Sequence, residues 1–227
     1  MTTLGSKNNS NSKWMVIGIN GVTCGGKTTL ANALTNFLFL RTGSIIPNTK
    51  YKIGEVKLIS QDDYFLQVDD ERHKWIESLN HINWEILTAL DMKKMICDIS
   101  ALIKDDQLLI RRPSENPSAW LCDDSVVVHF LIIEGFLLFN QPEIIDFCQL
   151  KYHLHIPYEK CWARRSARTY DPPDVVGYFE SCVWPMYEKH LGEFRDREDI
   201  AKINGDLSPD RLLKYILNGI QIFLQIC

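Results

Sequence analysis

Apolar positions along the chain fall into short continuous runs separated by segments of helical spacing. Residues 14–20, Trp-Met-Val-Ile-Gly-Ile-Asn, form an apolar run that ends in glycines, the pattern of a buried strand entering a turn. From Lys27 the spacing becomes helical, with Leu30, Leu34, Phe37 and Leu38 three and four residues apart. The polar stretch 41–55, carrying Gly43, Pro47 and Gly54, reads as a loop, and 56–60 as a second strand leading into Gln61-Asp-Asp-Tyr-Phe. Ala89, Met92, Ile96, Ile99 and Ile103 step by three and four, which predicts an amphipathic helix over 84–104. Residues 105–125, with Pro113 and Pro117, read as a loop holding a minor strand at 108–110. Residues 126–133 have the composition of a strand buried on both faces, and 152–156 form another. Ser208-Pro209 supplies an N-cap and first-turn pair for a last helix bearing Leu212, Leu213, Ile216, Leu217 and Ile220. Strands alternating with helices predict an α/β fold with a parallel sheet, in one domain over 14–227.

Composition narrows the function. The 227 residues are 45% hydrophobic and 24% charged, enough apolar material for a full core without disulfides or a structural metal. Twenty-five Lys+Arg against 29 Asp+Glu give a net charge of −4, the wrong sign for a nucleic-acid binder. The longest apolar run, 130–139, is broken by Glu134 and Gly135 and falls short of the roughly 20 residues of a spanning helix. Residues 1–13 are Ser/Asn-rich and read as a disordered tail rather than a signal or transit peptide. Seven cysteines, scattered and never in C-x-x-C spacing, indicate reduced thiols in a cytoplasmic protein. His153-x-His155 is a strand pair without a third ligand, which does not make a zinc site.

The strongest chemical signal is Gly21-Val22-Thr23-Cys24-Gly25-Gly26-Lys27-Thr28, which fits G-x-x-x-x-G-K-[ST] without a mismatch. It lies between a predicted strand and a predicted helix, the context in which backbone N–H groups and a helix N-terminus cradle phosphates. Lys27 is expected to reach the β- and γ-phosphates and the Thr28 hydroxyl to hold Mg²⁺.

Ligands of parallel sheets sit at the carboxyl ends of the strands. Asp62 and Asp63 follow the second strand and Glu134 follows the third, in Leu-Ile-Ile-Glu-Gly. Such carboxylates hold Mg²⁺ or take a hydroxyl proton. Residues 157–173 carry Arg164, Arg165 and Arg168 on a predicted helix. Arg164 and Arg168 are four apart and expected on one face, as a phosphate clamp or as an ordinary solvated face. Trp84 and Tyr170 are either core aromatics or plates that stack on a flat ring.

Together these segments resemble the nicotinamide riboside kinases, a branch of the P-loop kinases near the uridine kinases. The resemblance rests on 21–29, Ser-Gln-Asp-Asp-Tyr-Phe at 60–65, Leu-Ile-Ile-Glu-Gly-Phe-Leu-Leu-Phe-Asn at 131–140 and Ile-Pro-Tyr-Glu at 156–159. Arg-Arg-Ser-Ala-Arg-Thr-Tyr-Asp-Pro-Pro-Asp at 164–174, Gly-Tyr-Phe at 177–179 and Val-Trp-Pro-Met-Tyr at 183–187 complete it. It implies a P-loop NTPase three-layer sandwich with a five-stranded parallel sheet and a helical lid around 158–175. The implied activity is ATP- and Mg²⁺-dependent phosphorylation of the ribose 5′-hydroxyl of nicotinamide riboside, and of the nicotinic acid form, for NAD synthesis. The partners are then small molecules, with no nucleic acid or membrane, and the chain a monomer or weak oligomer.

By the same resemblance Asp62 is the base, Lys27 and Glu134 complete the catalytic set, and Thr28, Asp62 and Glu134 serve Mg²⁺. The loop from Gly21 to Thr29 binds ATP with Arg164, Arg168, Thr169 and Tyr170 of the lid. Asp62, Asp63, Tyr64, Phe65, Trp84, Glu85, Arg165 and Tyr170 contact the nucleoside. Trp84-Glu85 stands where the family has Tyr-Asp, which keeps a stacking ring and a carboxylate. A uridine/cytidine kinase is the alternative; a GTPase-like switch lacks its Asn-Lys-x-Asp segment here.

Overall fold

The computed structural model describes residues 12–103 and 126–227. Strand β1 (Ser12–Gly21) leads through the phosphate loop into helix α1 (Lys27–Phe39), and β2 (Tyr51–Ser60) follows. A small hairpin, β3 (Trp75–Ile76) and β4 (His81–Ile82), precedes α2 (Met92–Ile103). Then come β5 (Val126–Gly135), α3 (Pro142–Phe147), β6 (Leu150–His155), α4 (Tyr158–Ser166), α5 (Trp184–Phe194), β7 (Ala201–Asn204) and α6 (Pro209–Ile226). The main sheet runs β2-β5-β1-β6-β7, every pairing parallel. No described helix is long and apolar enough to cross a membrane.

The unbroken apolar character of β1 and β5 follows from cover on both faces. Along β1, Met15, Ile17 and Ile19 share a core with Leu30 and Leu34 of α1 and Ile216 and Ile220 of α6. Trp14 and Val16 point the other way, into a core with Met95 and Ile99 of α2 and Ile144 of α3. Strand β5 divides likewise, Phe130 and Ile132 to the first side and Leu131 and Ile133 to the second. The result is three layers, helix-sheet-helix. A third apolar cluster joins Val22 and Ile156 to Cys161, Tyr178, Phe179 and Val183, and roots α4 and the approach to α5 beside the strand ends.

Several elements differ from the sequence pattern. Strand β1 starts at Ser12, two residues before the expected boundary. The last third of the expected 41–55 loop is strand: β2 is in register with β5 from Tyr51, and Ile45 bridges back to Lys52. The register shifts between Ile53 and Val56, a bulge of the kind that glycine admits at Gly54. The helix expected over 84–104 begins only at Met92; Asp91 Oδ1 accepts the Lys94 N–H at 3.0 Å and caps it. Before it, 84–91 is held extended or in a single 3₁₀ turn, with Tyr178 Oη accepting the Trp84 N–H at 3.0 Å. Helix α4 ends at Ser166, so Arg168 lies beyond it and shares no helical face with Arg164. Ser208 does occupy the N-cap of α6, but its side chain makes no capping bond. The fifth strand of the sheet is β7; the strand expected at 108–110, with the whole of the 105–125 loop and residues 1–11 of the expected tail, lies outside the described residues.

Candidate active site

Parallel register brings the functional strand ends to one edge: Ser60 pairs with Glu134, and Gly21 with Leu154. Gly21 packs so closely on β6 that a Cβ there would lie 2.3 Å from the Leu154 carbonyl oxygen. Gly26, at φ +91°, turns the chain into α1, a conformation that a side chain strains. The first N–H groups of α1 therefore open onto the loop. Lys27 Nζ spans it and donates to the Val22 carbonyl at 2.9 Å.

Above the loop lies a cleft of about 990 Å³. Thr23, Cys24, Gly26, Lys27, Thr28 and Thr29 line its floor, while Gly21, Val22 and Gly25 form the underside of the loop. Asp62, Asp63, Phe65, Trp84 and Glu85 line the cleft, as do Arg164, Arg165, Arg168 and Tyr170, and the two groups meet where Glu85 approaches Arg165. Two expected contacts fall elsewhere. Tyr64 is turned into the α2 core, its Oη donating to Asp98 Oδ2 at 2.9 Å, because in the 3₁₀ turn Gln61–Tyr64 residues three apart share a side: Gln61 and Tyr64 face inward while Asp62 and Asp63 face the cleft. Thr169 is exposed and outside the cleft wall.

Glu134 is almost fully buried at the end of β5. Ser60 Oγ donates to its Oε1 at 2.5 Å, and Thr28 Oγ1 stands 3.2 Å from each carboxylate oxygen. Burial pushes its carboxyl above the ordinary range, against the Ser60 bond and the charge of Lys27. Asp62 projects into the cleft from the turn after β2. Its neighbour Gln61 is buried the other way, and Oε1 accepts the Phe136 and Leu137 N–H groups at 3.0 and 2.9 Å. That bond ties the segment after Glu134 to the segment carrying Asp62. Among the described residues no three His, Cys, Asp or Glu converge as a metal cage.

All three arginines reach the phosphate loop. Arg164 Nη1 donates to the Cys24 carbonyl at 3.2 Å, Arg165 Nη1 to Thr23 Oγ1 at 3.1 Å, and Arg168 Nη1 lies 3.8 Å from Cys24 Sγ. Arg165 is buried and gripped by Asp174 through two bonds, Nε–Oδ2 at 2.6 Å and Nη2–Oδ1 at 3.0 Å. Glu85 Oε1 is 3.6 Å from Arg165 Nη1. Burial raises the Glu85 carboxyl to about 7; Asp174 and Asp62 add to the rise, and Arg165 and Lys27 oppose it. Tyr170 lays its ring over the Arg165 guanidinium, 4.5 Å from centroid to Cζ. Trp84 is braced instead by Phe65 and His73, both edge-on, and Phe65 stacks on Phe136.

Ser60, Gln61, Asp174 and Asp206 were not singled out from the sequence. Ser60 is foreseeable once β2 and β5 are aligned, since it faces Glu134 in the register. Asp174, nine residues beyond Arg165, and Asp206, which pairs with Lys160 and Arg164, come into place only through the fold.

No protein-family model matches the chain. It is 35% identical over 208 residues to nicotinamide riboside kinase 2 of Mus musculus, covering 91% of this chain and 95% of the relative. It is 36% identical over 204 residues to nicotinamide riboside kinase 1 of Homo sapiens, covering 88% of each. Among solved structures, a gluconokinase from Sinorhizobium meliloti 1021 superposes with a TM-score of 0.51 at 11% identity, over 93% of this chain and 94% of that one. That likeness concerns the fold, a P-loop α/β sandwich. Identity above 30% across nearly the whole of both chains, on a cleft floored by the phosphate loop, places this chain in the nicotinamide riboside kinase family.

Proposed function

We propose that the protein transfers the γ-phosphoryl group of ATP to the 5′-hydroxyl of nicotinamide riboside, and of nicotinic acid riboside, to form the mononucleotide. The observation that carries this reading is a single cleft holding both a triphosphate cradle and a nucleoside wall. The wall combines a carboxylate at the hydroxyl end (Asp62) with an indole plate and a second carboxylate, Trp84 and Glu85, at the ribose and base end. A pyridinium ring gains a cation–π attraction on an indole face that a neutral pyrimidine lacks.

Asp62 orients the 5′-hydroxyl and accepts its proton. Glu85 and Arg165 receive the ribose hydroxyls, and Trp84 and Tyr170 the ring. Lys27 leaves the Val22 carbonyl for the phosphates, and Arg164 and Arg168, already on the loop at Cys24, neutralise charge on the transferred group. Thr28, Asp62 and Glu134 are hard oxygen donors that would hold Mg²⁺. When bound, the ion would offset negative charge on the triphosphate. Positioning and electrostatics supply most of the acceleration in such chemistry.

A coupled kinase assay over nicotinamide riboside, nicotinic acid riboside, uridine and cytidine, with ATP and with GTP, tests this function. The highest kcat/KM is expected for a pyridine nucleoside with ATP. A preference for uridine or cytidine makes the chain a pyrimidine nucleoside kinase and refutes the proposal.

A further inference from the structure

The nucleobase wall contains two buried polar atoms that lack a partner among the described residues, Trp84 Nε1 and His73 Nδ1. They belong to adjacent rings, with centroids 4.7 Å apart and planes at 70°. His73 is buried, and its Nε2 lies 2.8 Å from the Gln67 carbonyl oxygen. A carbonyl only accepts, so Nε2 carries the proton and Nδ1 of the neutral ring presents a bare lone pair. The indole Nε1–H only donates. The two orphans are thus a donor and an acceptor, complementary and on adjacent rings. Each is costly to leave unpaired in a site from which water is excluded.

Residues around the pair hold it in place. The Trp84 backbone is anchored by Tyr178 Oη, and Phe65 meets its ring edge-on on another side. Trp84 lines the cleft, whereas His73 stands behind it and does not. The remaining freedom of the indole is rotation about its side-chain bonds, which His73 is placed to restrain.

We propose that His73 is a positioning residue for the nucleobase plate: in the nucleoside complex its Nδ1 accepts the Trp84 indole N–H and fixes the plane on which the base stacks. This rests on the nucleoside site assigned above, with Trp84 as its plate. His73 touches neither substrate nor ATP. Its effect is on nucleoside binding, not on the chemical step.

Kinetics with nicotinamide riboside and ATP test the role. His73→Phe keeps a ring beside Trp84 and removes the acceptor. It is expected to raise the nucleoside KM about fivefold, the worth of one hydrogen bond, with kcat and the KM for ATP within twofold of the parent. His73→Asn puts an amide oxygen near the place of Nδ1 and is expected to restore most of the affinity. In a Trp84→Phe background the further change His73→Phe is expected to add nothing. An unchanged nucleoside KM in His73→Phe, or independent effects of the two substitutions, overturns the proposal.

A second measurement needs no folded His73 variant. The indole ¹H–¹⁵N resonance of Trp84, identified by its loss in Trp84→Phe, is expected to move downfield and become protected from exchange when nicotinamide riboside is added. A resonance that remains in fast exchange with water refutes the pairing. If the parent enzyme turns over uridine and not the pyridine nucleosides, the substrate assignment fails; the His73 series, run with uridine, still decides the positioning role.

Discussion

Asp174 carries the most quantitative consequence of this site. Removing its carboxylate in Asp174→Ala leaves the Arg165 guanidinium, itself 7% exposed, without a bidentate partner at 2.6 and 3.0 Å. Breaking one side of a buried ion pair costs about 3–5 kcal/mol. The low end applies here. The Asp174 side chain is 26% exposed, and Glu85 at 3.6 Å and Thr23 at 3.1 Å remain as partners. A loss of about 3 kcal/mol in a chain of this length corresponds to a melting temperature lower by roughly 6–12 °C. Arg165 also loses the contact that aims it, so kcat/KM for the nucleoside should fall by roughly 10–100-fold, the scale of a misplaced positioning group. ATP affinity should change less, because Arg164 and Arg168 reach Cys24 without Asp174. Asp174→Asn, with one acceptor oxygen left, should lie between. The measurements are a thermal melt and initial rates at varied nucleoside. A melt within 1 °C of the parent, with kcat/KM within twofold, would refute the claim that Asp174 holds Arg165.

Other consequences follow from single groups. Asp62→Ala should lower kcat by at least about 10²-fold while the Kd for ATP measured by calorimetry stays within a few-fold; turnover near the parent rate removes Asp62 as the base. Glu85, held up to about 7 chiefly by burial, is protonated below that pH and an acceptor for ribose hydroxyls above it. The nucleoside KM should therefore fall as pH rises through 7, and Glu85→Gln should flatten that profile; an identical profile in the variant sinks the assignment. His153 is buried between Asn20 and Tyr187, and burial pushes its imidazole down to about 3. The fold thus prefers it neutral: its contribution is complete above the ordinary value of 6.5 and is lost as pH falls from there towards 3. The loss should reach roughly 3 kcal/mol at pH 4. Melting temperatures between pH 7 and 4 should decline less steeply in His153→Gln than in the parent, and equal slopes would exclude His153 as the cause.

The phosphate loop, the doubly covered strands and the carboxylates at the strand ends were legible because each is local. A glycine-rich turn between strand and helix needs only its own spacing, and an apolar run needs only its own length. Helix boundaries were less legible. The spacing of Ala89 and Met92 continues a helical pattern back from α2, but 84–91 is taken over by the nucleoside wall, where Tyr178 Oη captures the Trp84 N–H. Arg164 and Arg168 satisfy an i,i+4 rule that has no meaning once α4 stops at Ser166; both reach Cys24 all the same, one from the helix and one from the chain beyond it. Tyr64 sits inside a motif whose neighbours line the cleft, yet its ring is claimed by the α2 core and by Asp98.

From the order of its residues alone this chain is an α/β protein with a triphosphate loop and acids at the ends of parallel strands. Those features depend on backbone conformation and on burial of contiguous side chains, and both are written in neighbouring positions. Which groups share a charge, a proton or a hydrogen bond is a different matter. Ser60 meets Glu134 across 74 positions, Arg165 meets Glu85 across 80, and Thr23 meets Arg165 across 142. The raised carboxyls of Glu134 and Glu85 and the unpartnered ring nitrogens of Trp84 and His73 exist only after the sheet closes and water leaves. Low polarity and fixed distance create those properties, and both belong to the folded chain rather than to any segment of it.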